Sequence, residues 1–171
     1  MNRRAASLYL GLTLIGVMIS HIGFEREDNG MLLSLDGKHY DVVGAMVDMH
    51  TSLTARCDGV TRPVGQNPTY IATLDAVRRF SPPDSASARI ASLMQYEHWL
   101  LAELEFDTLL PAVVLLHEDN GAIKIQERAI WSGTTRPWKA GPLIRNYISR
   151  QAPDAPAALF ACFTPLSNSL K

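Results

Sequence analysis

Apolar and polar positions alternate in two rhythms along this chain, and each predicts a different element. In "MLLSLDGKHYDVV" (31–43) two apolar-rich runs flank Asp36-Gly37, a dipeptide suited to a tight hairpin turn. The next stretch switches to helical spacing, with Val42, Met46, Met49 and Leu53 on one face. Asn67 is placed to cap a second helix with Pro68 at its first position, and Arg78-Arg79 suit its C-terminal end. Ile71, Leu74 and Val77 supply that helix's buried side. Pro82-Pro83 stop it, and Asp84 or Ser85 begins a third helix through about His98, with Ile90, Leu93, Met94 and Leu101 as its stripe.

Strand rhythm follows. "WLLAELEF" puts Ala102, Leu104 and Phe106 on one face and Glu103 and Glu105 on the other. Residues 109–131 read as a hairpin in which Asp119-Asn120 turn, a left-handed Gly121 follows, and Leu115 pairs with Ile125. Lys124, Gln126 and Arg128 then share a face, while Glu127 breaks the alternation as a bulge or, alternatively, as a buried functional carboxylate. "SGTTRPWKAG" is a loop, and Pro142 opens a short helix with Leu143, Ile144, Tyr147 and Ile148 on its apolar side. "AALFACF" reads as the last strand. Residues 31–171 are therefore expected to form one α+β domain, an antiparallel sheet of about four or five strands with helices packed on one face.

The chain begins differently. Arg3-Arg4 precede an uncharged run from Leu8 to Phe24, which ends at "ERED". A basic flank, an apolar run and an acidic exit form the pattern of an export signal or a single N-terminal membrane anchor. At ~1.5 Å per residue the run reaches only ~25 Å, the low edge of a transmembrane helix. "GLTLIGVMI" resembles the start of a type IV pilin, but Gly16 stands where that family has glutamate, and no pilin property is carried over. Residues 1–24 are expected to be the signal or anchor, residues 25–30 a polar junction, and the body periplasmic, whether cleaved or held at the inner membrane. Two cysteines, Cys57 and Cys162, suit an oxidising compartment and are expected to pair.

Composition adds little until it is mapped. The net charge of −1 gives no case for nucleic acid. Residues 84–119 nevertheless carry seven acids and one cation, whereas 122–151 carry six cations and one acid. The basic block interleaves Trp131, Trp138 and Tyr147 with arginines and lysines, the mixture that anchors protein interfaces. Arg136, Trp138, Lys139, Arg145 and Tyr147 are accordingly the candidate contact residues for a protein partner in the cell envelope.

Catalytic signals are thin. The five histidines (His21, His39, His50, His98 and His117) show no ligand spacing, and neither phosphate-loop nor nucleophile-elbow motifs occur. No metal and no cofactor is expected, and no catalytic residue is assigned. The sequence-level reading is a non-catalytic binding or accessory protein, such as a toxin-inhibiting immunity protein or a subunit of a secretion or surface assembly. The alternative is a small envelope hydrolase acting on cell-wall or small-molecule substrates, which would need Glu127 and a histidine to converge in a cleft.

Overall fold

In the computed structural model the described residues are 21–167 and Leu170. Of the expected signal or anchor, residues 1–24, residues 1–20 lie outside them, while Ile22, Gly23 and Phe24 begin the first strand. The chain is α+β, with two antiparallel meanders instead of one sheet. Strands β1 (Ile22–Glu27), β2 (Gly30–Leu35) and β3 (Lys38–Tyr40) form a small sheet in that order. Helices α1 (Val42–Thr54) and α2 (Pro68–Arg78) follow, then a 3-10 turn at Asp84–Ser87. The main sheet has the order β4 (Arg89–Tyr96), β5 (Trp99–Glu105), β6 (Ala112–Asp119), β7 (Ala122–Ser132). Helices α3 (Ala140–Gln151) and α4 (Ala157–Ala161) close the fold. Residues 25–30, expected as a polar junction, complete β1, turn at Asp28-Asn29 and begin β2.

The Asp36-Gly37 hairpin forms as expected, with Leu35 opposite Lys38 and positive φ at both turn residues. The second hairpin differs by one residue in register. Asn120 and Gly121 both adopt positive φ, at 52° and 78°, so the turn has two residues and Leu116, not Leu115, faces Ile125. Opposite Leu115, β7 then bulges, and Glu127 lies exposed within that irregularity. Asn67 caps α2 through the Thr69 amide at 2.9 Å, with Pro68 behind it. Val77 and Leu74 pack inward, but Ile71 is exposed.

Two expected elements change type. The third helix is instead β4, because Ile90 faces Leu104 while Ser92 faces Glu103, leaving Ala91 as an extra residue. That bulge sets Ile90 and Leu93 on one face at a spacing of three, which imitates a helix. "AALFACF" is not a strand but contains α4, whose alanines favour helix and whose Leu159 and Phe160 are buried.

Helices cover both faces of the main sheet, correcting the one-sided expectation. Met94, Leu101, Val113 and Leu115 pack under Ile144, Ile148, Leu159 and Phe163. Leu93, Leu100, Ala102, Leu104, Val114 and Leu116 pack on the other face with Val77 and Leu74 of α2. Adjacent apolar residues such as Leu100-Leu101 thus serve opposite cores. The Cys57–Cys162 disulfide is present, joining the loop after α1 to the C-terminal end of α4 across 105 residues.

Helix α1 inverts its expected orientation. Val42, Met46, Met49 and Leu53 are all exposed, while Gly44 on the other side is buried. The inward side is chosen by close approach and polar pairing rather than by the apolar stripe, and that choice builds the site.

Candidate functional site

The loop from Gly133 to Lys139 is held at both ends. Buried Thr135 donates from its amide and hydroxyl to the Leu170 carbonyl, at 3.2 and 2.7 Å. The Trp138 amide donates to the Thr135 carbonyl at 2.7 Å. At the far end, the Lys139 amide donates to Asp41 Oδ2 at 2.9 Å, while Asp41 Oδ1 accepts the Gly44 amide at 2.7 Å. One carboxylate therefore serves the N-termini of α1 and α3 together. A side chain at Gly44 would overlap that carboxylate, so the glycine is a requirement of the shared cap.

A second tie lies about two turns further along α1, at Asp48. Arg145 Nη2 meets Asp48 Oδ1 at 2.8 Å, and Nη1 donates to the Phe163 carbonyl at 2.8 Å. The Arg145 side chain is only 11% exposed, so this guanidinium is committed to holding α1, α3 and the C-terminal tail. It is not an available contact group, although the sequence nominated it as one.

Trp138 sits where these elements meet. Its indole lies 3.5 Å from the point where a Cβ on Gly30 would stand, so it wedges against the start of β2. It is half-buried and borders clefts on either side. One cleft, about 560 Å³, is lined by His39, Tyr40, Asp48, Arg136, Lys139 and Thr164, among others. The other, about 530 Å³, has Trp131, Arg136, Asn146, Tyr147 and Arg150 in its wall, with Asn29 reaching in from the β1–β2 turn. Arg136, Lys139 and Arg150 are exposed, and their side chains make no hydrogen bond or ion pair among the described residues. Of the five nominated residues, four therefore converge on these clefts. Arg150 belongs to the same basic-aromatic segment; Asn29 carried no local signal.

The other polar candidates do not converge. His39 pairs with Glu25 at 3.0 Å and His21 with Asp36 at 2.7 Å, both on the surface of the small sheet. His117 packs edge-on against Trp99 at 4.6 Å, near the hairpin end where Lys124 pairs with Asp119 at 2.8 Å. That ammonium holds the Asp119 carboxyl below its ordinary range, through the hydrogen bond first and its charge second. Glu103, one of the seven acids of the 84–119 block, is fully buried; its carboxylate accepts the Leu166 amide at 2.9 Å and the Ser167 amide at 2.6 Å. Among the described residues no group of three or more His, Cys, Asp or Glu could hold a metal ion.

Neither known protein families, nor characterised proteins, nor solved structures give a match to this chain. The disulfide is compatible with an oxidising compartment such as the periplasm. Among the described residues no helix is long and apolar enough to cross a membrane.

Proposed function

We propose that this chain is a non-catalytic envelope protein that recognises another protein through the clefts flanking Trp138, as an immunity-type inhibitor or an assembly subunit would. The observation that carries the reading is a set of unspent cations on a cross-tied frame. Arg136, Lys139 and Arg150 have no internal partner among the described residues, yet Asp41 and Arg145 fix the loop and helix that bear them. Such preorganisation lowers the cost of ordering on association. Trp131 and Tyr147 add broad faces beside the guanidinia, the combination that concentrates binding energy. The chemistry favours a partner that presents acidic side chains on a protruding loop.

A photo-reactive residue at Tyr147, in full-length protein incubated with native envelope extract, tests this. It should yield one discrete protein adduct, and Arg136→Glu with Arg150→Glu should remove that adduct without lowering the melting temperature. Losing two such contacts is worth about 2–3 kcal/mol, at least roughly 30-fold in affinity. No adduct, or one indifferent to the double charge reversal, refutes the proposal. Trp138→Ala is the poorer probe, because a residue wedged on Gly30 should also lower stability.

A further inference from the structure

The small N-terminal sheet sorts its side chains in a way that neither the cleft nor the core explains. The registers Ile22↔Leu35↔Lys38 and Phe24↔Leu33↔Tyr40 put these residues on one face, with Arg26 opposite Met31 at the end of the row. The other face carries Glu25, Glu27, Leu32, Ser34 and His39. Leu32 is fully buried, so that second face looks toward the body. The first is uncovered: Ile22, Phe24, Met31, Leu35 and Tyr40 are all exposed, Phe24 at 71%. Among the described residues, eleven of the eighteen exposed large hydrophobics lie between Ile22 and Leu53. Met31, at the end of the row, also borders the groove between α1 and α3, with Val43, Val47 and Trp138 in its wall.

Charge is sorted as well. The uncovered face holds two cations, Arg26 at one end and Lys38 at the other, and neither has a hydrogen-bond or ion-pair partner among the described residues. The acids of β1 point the opposite way. An apolar field with an aromatic at its margin and long basic side chains at its ends matches a phospholipid interface. Tails accept the apolar row, and anionic headgroups accept the snorkelling cations. Chain continuity points to the same occupant. The uncharged run from Leu8 to Phe24 passes directly into β1; Ile19 lies three residues before Ile22, and three residues span at most about 10 Å.

We propose that this face is a membrane-contact surface that lies on an anionic phospholipid bilayer. The proposal rests on the anchored-envelope part of the reading above; of the residues on this face, Tyr40 also borders the cleft beside Arg136. It would turn the Trp138 clefts, where the small sheet meets the body, into a site held at fixed height over the membrane.

The test uses the full chain reconstituted with vesicles of phosphatidylglycerol and phosphatidylcholine. An environment-sensitive fluorophore is placed at Phe24→Cys or, separately, at Met31→Cys, with Arg128→Cys on β7 as reference. Flotation reports anchoring, and spin-labelled lipid reports contact. The expected result is flotation with several-fold stronger lipid quenching at positions 24 and 31 than at 128, reduced by Arg26→Glu with Lys38→Glu. Flotation with equal, water-like quenching at all three positions overturns the contact surface and leaves the anchor standing. Failure to float overturns the anchor and the proposal together. Labels shielded from both lipid and water in a dimeric species assign the face to a second copy of the chain and also overturn it.

Discussion

Removing the Glu103 carboxylate should release the C-terminal tail. Glu103 is fully buried on β5, and its two oxygens accept the Leu166 and Ser167 amides at 2.9 and 2.6 Å. Beyond them Leu170 is fully buried, and its carbonyl takes both donors of Thr135. A hydrogen bond to a charged acceptor contributes about 1.5–3 kcal/mol, but the pair does not add fully, because a freed tail rehydrates both amides. What remains at risk is the burial of one leucine, about 1.5–3 kcal/mol, and the Thr135 contacts. Glu103→Met, which fills the space and accepts nothing, should therefore cost about 3 kcal/mol. Glu103→Gln, which keeps one accepting oxygen, should cost about 1–2 kcal/mol.

Urea unfolding with the disulfide intact measures both variants, and amide exchange at Leu166 and Ser167 localises the effect. The ranking decides the argument. Burying a carboxylate carries a desolvation cost, and a well-packed apolar replacement can equal or exceed a buried polar arrangement. If Glu103→Met is as stable as the parent, or more stable than Glu103→Gln, amide pairing is not what holds the tail. A functional consequence follows from geometry: Thr164 and Pro165 on this tail line the cleft beside Arg136. If the clefts bind a partner as proposed, Glu103→Met should weaken its capture although Glu103 does not line them.

Three further outcomes are expected. Cys162→Ser should lower stability by about 4–5 kcal/mol in the chain-entropy model for a closed loop of this size, and mass analysis of unreduced parent protein should find no free thiol. Gly44→Ala should cost about 2 kcal/mol in urea unfolding, because the added methyl displaces the Asp41 carboxylate from one of the two helix ends it serves. Lys124→Met should raise the Asp119 midpoint toward the ordinary carboxylate value in an NMR titration. Since the folded pKa lies below the unfolded one, the pair's small contribution is complete above the ordinary value and fades as pH falls through the lowered one.

The turns were the most legible part of the sequence, because Asp36-Gly37 and Asn120-Gly121 satisfy a local requirement for positive φ that little else competes with. The Asn67-Pro68 start of α2 was legible because its requirements are also local: the Asn67 side chain accepts the Thr69 amide, and Pro68 sits where no amide proton is needed. Elements decided by distant packing were not. A strand buried on both faces loses its alternation, and the extra residue at Ala91 replaced what was left with a helical interval. Helix α1 shows the converse error. Its stripe is genuine, but Gly44, Asp41 and Asp48 fix which side meets α3, and two of the partner groups lie almost a hundred residues away.

The same distance separates composition from availability at the site. The block from 122 to 151 announces six cations against one acid, and reading all six as surface charge overstates the field. Asp119 takes Lys124, and Asp48, from a helix far upstream, takes Arg145. Arg128 projects from β7, away from the residues lining the Trp138 clefts. Only Arg136, Lys139 and Arg150 then remain both unpaired among the described residues and set in those walls. The cations a basic segment leaves available are those that remain after the fold has used the ones it needs for itself. Here the spending is what fixes the geometry: the Arg145 tie and the shared Asp41 cap hold the backbone from which the unspent cations project.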